Sequence, residues 1–157
     1  MEEREKRYAA SAIIYNDQGL VLLARRSLTK RPFPGVLSLP STYLRDQDGN
    51  FSHEFPTYKT VKEQLEAAVK NKLGIDITLG SPIGDKIGVQ GEYILHMADY
   101  FARFTKGEIT PNEEDFCEAL FADPAEMFAG KKRDKMGLCM QILLTRLNFD
   151  PDFWKRY

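Results

Sequence analysis

TYKTVKEQLEAAVKNKLGI, running from Thr57 to Ile75, decides the organisation of the chain. Val61, Leu65, Ala68, Val69 and Leu73 recur at i, i+4, i+7, i+8 and i+12. That spacing gathers them into one apolar stripe and predicts a helix over 58–73. Thr57 is placed as its N-cap, and Gly74 falls where a C-terminal glycine stop belongs. Upstream, Ala9 to Tyr15 (AASAIIY) and Leu20 to Arg25 are β-rich runs flanking Asn16-Asp-Gln-Gly19, which reads as a hairpin. Arg25 to Leu39 reads as loop, punctuated by Pro32, Pro34, Gly35 and then Pro40, and Arg45 to Asn50 as an exposed turn at the tip of an insertion. Downstream, strands are predicted over Ile75–Leu79, Glu92–Phe104 and Phe116–Phe121. A short helix follows from Asp123-Pro124, and a last amphipathic helix over Met136–Leu147. Strands with helices between and after them argue for an α/β sandwich.

The rest of the composition narrows the class. A chain of 157 residues, 43 % hydrophobic and 29 % charged, reads as one domain over residues 1–157, its core roughly over 8–147. Twenty-two Lys and Arg stand against 23 Asp and Glu, leaving a net charge of −1, so a protein held on nucleic acid by its overall charge is disfavoured. No apolar run reaches the roughly 18–20 residues of a membrane span, and no signal peptide opens the sequence. Cys117 and Cys139 form no CxxC, read as core sulfurs, and fit a reducing, cytoplasmic setting.

The order of hairpin, Pro-Gly loop, helix ending in Leu-Gly-Ile, long strand and final helix resembles the Nudix hydrolase superfamily. Local markers are Phe33-Pro-Gly-Val-Leu-Ser-Leu-Pro40, similar to the family's PGxWxLPGG, and Leu73-Gly-Ile-Asp-Ile77, similar to its ELGI ending. Tyr100 to Gly107, the acidic loop after it and Leu120-Phe121 complete the pattern. The resemblance implies a Nudix-type α/β/α sandwich with a central mixed β-sheet.

The resemblance also implies a catalytic box, GX5EX7REUXEEXGU, whose glutamates hold divalent metal for attack of water on a pyrophosphate. Carboxylates are natural Mg2+ ligands, and metal neutralises the charge that shields pyrophosphate from nucleophiles. Anchored on Gly74 and Ile75, the box puts its Arg at Ala67 and the next Glu at Ala68. Its paired Glu fall at Asn71 and Lys72, its upstream Glu at Lys59 and its upstream Gly at His53. Ser41-Thr42 stand where the family has Gly-Gly. No consensus glutamate is matched, and two of these positions carry lysine. Phe33-Pro-Gly is also similar to isopentenyl-diphosphate isomerases of the same fold. The cysteine they carry soon afterwards has no counterpart in Ser38-Leu-Pro-Ser-Thr42, which disfavours isomerase chemistry.

Displaced carboxylates are the remaining catalytic candidates: Glu113, Glu114, Glu66 and Glu54. At about 100° per residue, Glu63 and Glu66 lie some 130–170° from the side carrying 68, 71 and 72, as on a solvated face. Glu113-Glu114-Asp115 reads first as an exposed acidic loop, and Lys131 to Lys135 as a solvated basic run. His53 and His96 carry no ligand pattern. A pocket on this helix is expected to face Thr60, Gln64, Ala67, Ala68 and Asn71.

The reading that results is a non-catalytic binder of a nucleotide or other phosphorylated ligand. Lys59, Lys72, Gln64 and Asn71 are its expected ligand-binding residues, with no metal and no cofactor. Lysine there puts a cation where the family holds its metal. Two alternatives stand beside it. One is a pyrophosphohydrolase of nucleoside-diphosphate-linked substrates, which would need Mg2+. The other is a protein or RNA interaction module, for which Tyr43, Phe51, Phe55 and Tyr58 supply aromatic surface. No membrane partner is expected, nucleic acid is disfavoured, and a homodimer is compatible with the sequence.

Overall fold

The computed structural model describes residues 3–30 and 35–123. Its elements run β1 (Glu5–Tyr15), β2 (Val21–Arg26), β3 (Leu37–Ser38), β4 (Ser41–Tyr43), α1 (Tyr58–Leu73), β5 (Asp76–Gln90), β6 (Tyr93–Lys106) and β7 (Phe116–Ala122). The expected short helix at Asp123-Pro124 and the helix over 136–147 lie outside the described residues.

The strands form one mixed seven-stranded sheet in the order β3-β2-β1-β6-β5, with β4 paired to β1 and β7 to β2. β1 runs parallel to β6 along its whole length, from Glu5 beside Tyr93 to Tyr15 beside Arg103. Every other pairing is antiparallel. The predicted first hairpin is there, but β1 and β2 pair only at Tyr15 and Val21 before they diverge. β4 then takes β1 from Ala9 to Ser11, while β7 takes β2.

The period-two alternation of the strands divides the core between two faces. Ala10, Ala12, Ile14, Leu22, Ala24, Ala98, Tyr100 and Ala102 pack with α1, which contributes Val61, Leu65, Val69 and Leu73, all fully buried. Each such side chain stabilises the fold by about 1.5–3 kcal/mol. Ile13, Val21, Leu23, Leu37, Leu39 and Phe101 form the core of the opposite face. On that second face the buried Asp99 accepts from Ser11 Oγ at 2.5 Å and from Lys86 Nζ at 2.7 Å, a polar strut across β1, β6 and β5.

Two features go beyond the sequence reading. β5 runs to Gln90 rather than stopping at Leu79, with register shifts around Pro82. A terminal strand of the sheet tolerates a proline because one side of its backbone has no neighbour to bond, and bulges absorb the misfit. β3 and β4 emerge from segments too short to carry a β pattern.

Candidate functional site

The C-terminal end of α1 organises the site. Helices leave their last carbonyls without intrahelical partners. Here Gly74, at φ 75°, turns the chain out of the helix and donates its N–H to Lys70 O at 2.9 Å. The segment after β6 caps two more: Thr110 N donates to Leu73 O and Asn112 N to Lys72 O, both at 2.7 Å. A Cβ at Gly74 would lie 3.2 Å from Thr110 Cβ, so glycine serves both the left-handed turn and the close approach. This docking carries Asp115 over the helix end, where Asp115 N donates to Asn112 O at 2.9 Å and its carbonyl accepts from Ser27 N at 3.1 Å. Ser27 Oγ also donates to the Glu113 carbonyl.

Asp115 pairs with one cation, and its charge acts on two more. Lys72 leaves the last turn of α1 half-buried and donates from Nζ to Ser41 O at 2.6 Å, linking helix to β4. Lys30 Nζ lies 2.6 Å from Asp115 Oδ1, with the aspartate side chain only 14 % exposed, so water screens this pair less than a surface one. Burial pushes the Lys72 ammonium below the ordinary lysine value; Asp115 opposes that shift, while Lys30 and Arg26 add to it. Arg26, at the end of β2, is likewise lowered by burial and raised by Asp115 and Tyr43. Among the described residues, Asp115 thus pairs with Lys30 and its charge also favours the charged forms of Lys72 and Arg26.

The divalent metal implied by the sequence resemblance does not fit these residues. Such an ion takes six or more oxygen ligands, carboxylates prominent among them. The helix offers Ala68, Asn71 and the Lys72 ammonium, while Asp115 is paired with Lys30. Among the described residues, no three His, Cys, Asp or Glu side chains gather to hold a metal ion.

The other expected site residues are dispersed. Lys59 is exposed in the first turn of α1, thirteen positions before Lys72 and therefore about 20 Å away along the axis. The two lysines cannot hold one phosphate group. Gln64 is engaged by the insertion: Oε1 accepts from Arg45 N and Nε2 donates to Arg45 O, both at 2.9 Å. Asn71 is exposed one residue from Lys72. Glu66 pairs with Lys62 at 2.6 Å, the i,i+4 partner that the sequence reading expects, and is partly buried rather than fully solvated. Glu54, Glu113 and Glu114 are exposed, as is His53, and His96 stacks on Tyr8 at 4.9 Å. Cys117 is a correction: it is exposed rather than buried, because Phe116 takes the inward position of that strand.

The aromatic residues considered as partner surface also have partners within the chain. The Arg7 guanidinium lies over Tyr93 at 4.1 Å and over Phe51 at 4.2 Å, and Arg45 lies over Phe51 at 4.4 Å. Tyr43 shares a 2.7 Å hydrogen bond with Tyr93, and burial together with that bond pushes its phenol up to about 12. Tyr58 donates its hydroxyl to Leu79 O at 2.8 Å, and Phe55 packs edge-on against Tyr8. Arg26, Lys30 and the role of Asp115 are what the sequence reading missed. Their only sequence signal is three unconnected charges, at 26, 30 and 115, with no shared local pattern.

No protein-family model matches the chain. It is 28 % identical to an isopentenyl-diphosphate Delta-isomerase of Saccharopolyspora erythraea, an alignment covering 93 % of this chain and 75 % of that protein. Among solved structures it is similar to a MutT protein from Methanosarcina mazei, with a TM-score of 0.75, 16 % identity and coverage of 96 % and 99 % of the two chains. A NUDIX hydrolase from Nitrosomonas europaea superposes with a TM-score of 0.68 at 11 % identity, over 92 % of this chain and 89 % of the other. The E. coli ORF135 protein gives a TM-score of 0.66 at 17 % identity, over 92 % of each chain. These likenesses show the Nudix hydrolase fold.

Proposed function

We propose that this chain, which has the Nudix hydrolase fold, binds a phosphorylated small molecule at the end of α1 without metal-dependent hydrolysis. The observation that carries this reading is the Lys72 ammonium, 2.6 Å from Ser41 O in a neighbourhood it shares with Lys30 and Arg26. An ammonium is a compact point charge suited to phosphate oxygens, whereas a divalent cation beside it would be repelled. Partial burial strengthens its attraction for an anion, because low local dielectric screens less. Arg26 adds a planar fork able to contact two oxygens at once. In this reading Ala68, Asn71 and Lys72 stand where the family's metal-binding glutamates would be, and the site keeps an anion-holding task without a hydrolytic one.

The isomerase relative is named for a diphosphate ester, which supports a diphosphate group as the shared feature of the ligand. Isomerisation itself is not part of the proposal, since Ser38 to Thr42 contains no cysteine. A nucleotide is the ligand class proposed, and a cytoplasmic setting is proposed with it, supported by the absence of a CxxC pattern in the sequence. Among the described residues, no helix is long and apolar enough to cross a membrane.

A thermal-shift panel of inorganic pyrophosphate, nucleoside diphosphates and nucleotide sugars, each with chelator and with Mg2+, tests the proposal. A ligand that binds the folded state raises its melting temperature by mass action. The expected result is stabilisation by pyrophosphate-bearing compounds in chelator. Stabilisation only with Mg2+, accompanied by product release, would establish the pyrophosphohydrolase alternative instead.

A further inference from the structure

We propose that Asp115 is a built-in competitor for the anion site, displaced from the cations only by a multiply charged oxyanion. The inference rests on the phosphate-binding reading of the same site and concerns how that site selects its ligand.

Asp115 does not reach the cations by chance of a flexible side chain. Its segment is tied down by Asn112 N donating to Lys72 O at 2.7 Å, Phe116 N to Asn112 O at 2.8 Å and Ser27 N to Asp115 O at 3.1 Å. The carboxylate therefore stands 2.6 Å from Lys30 Nζ, next to Phe116, which pairs with Arg26 across β2 and β7, and three residues after Asn112, which bonds the Lys72 carbonyl. A tethered group of this kind competes at an effective concentration in the millimolar range or above. A singly charged anion would exchange one negative charge for another and gain nothing. A pyrophosphate group brings two or more charges and several acceptor oxygens, so it gains from the exchange. Asp115 thus sets the site for phosphate groups of multiple charge and against monoanions such as acetate or chloride.

The test is calorimetric titration of the full chain with inorganic pyrophosphate in chelator, with and without added acetate. Asp115→Asn and, as a second variant, Asp115→Ser are expected to bind pyrophosphate about tenfold more tightly, the order expected when an opposing, partly buried charge is removed. Both should become sensitive to acetate, which leaves the wild type unaffected. Asp115→Glu, which keeps the competing charge, should stay near wild-type affinity. Glu63→Gln, the same change of net charge at an exposed side chain nine positions before Lys72 on α1, should also match wild type. Unchanged or weaker binding by both neutral variants would overturn the inference. If Lys72→Ala nevertheless loses binding, the phosphate-site reading survives that failure. If neither wild type nor the neutral variants bind pyrophosphate, both fall together.

Discussion

The Lys72 ammonium and the Ser41 carbonyl oxygen are 2.6 Å apart, a contact that joins the last turn of the helix to the short strand β4. The lysine is half-buried, so its hydrogen bond fixes where a positive charge stands rather than leaving it to sweep through solvent. Lys30, just beyond β2, pairs with Asp115, which arrives with the capping loop, and the charges of Lys30 and Arg26 help hold the Lys72 value down.

A pH dependence follows from that burial. The Lys72 value in the folded protein lies below the ordinary 10.5, burial being the main cause. Anion binding needs the protonated form, so pyrophosphate affinity is expected to fall as pH rises through the lowered value, earlier than for an exposed lysine. Stability moves the other way. Between the folded and unfolded values the unfolded chain binds more protons, so the contribution of this group to stability rises with pH. Lys72→Arg, whose guanidinium stays charged, should hold its affinity to higher pH. Titrations across the alkaline range read both trends, and parallel losses in wild type and Lys72→Arg would contradict the assignment.

Catalysis provides a separate check. With Mg2+ or Mn2+, the protein is expected to release no phosphate or pyrophosphate from nucleoside triphosphates, dinucleoside polyphosphates or ADP-ribose above a protein-free control. Removing a general base alone typically lowers a rate by about 100- to 10,000-fold, before any loss from the metal. Metal-dependent turnover abolished by Glu113→Gln or Glu114→Gln would show that carboxylates of the exposed loop had taken over.

Gly74→Ala should destabilise the fold by roughly 1–3 kcal/mol. A left-handed backbone is costly for a residue with a Cβ, and that Cβ would meet Thr110 Cβ at 3.2 Å and Glu108 O at 3.4 Å. Denaturant unfolding measures the loss; a variant as stable as wild type would mean that the capping segment shifts freely.

How much of this was legible in the sequence depended on whether the determinants were local. The helix was readable from end to end because Val61, Leu65, Val69 and Leu73 repeat within it, and because Thr57 and Gly74 mark its limits. The second half of β5 was hidden by Gly80, Pro82 and Gly84, residues that a terminal strand with bulges accommodates but that read as loop. β3 and β4, two and three residues long, hold too few positions for alternation to show. At the site, the helix register singled out Lys72. It could not show that Lys30 and Asp115, 85 residues apart, meet at 2.6 Å, because only sheet pairing and the capping loop bring them together. Nor could it show that Gln64 is engaged by the backbone of Arg45, or that Lys59 lies too far from Lys72 to act with it.

The most direct measurement is the affinity of wild type and Lys72→Ala for inorganic pyrophosphate in the presence of chelator, with thermal unfolding confirming that both are folded. The expected result is metal-independent binding by wild type that weakens by about thirtyfold or more in Lys72→Ala, in line with the roughly 2 kcal/mol or more lost when one partner of a buried charge pair is removed. Binding that chelator abolishes, with Lys72→Ala retaining full affinity when Mg2+ is restored, would contradict a lysine in place of the metal.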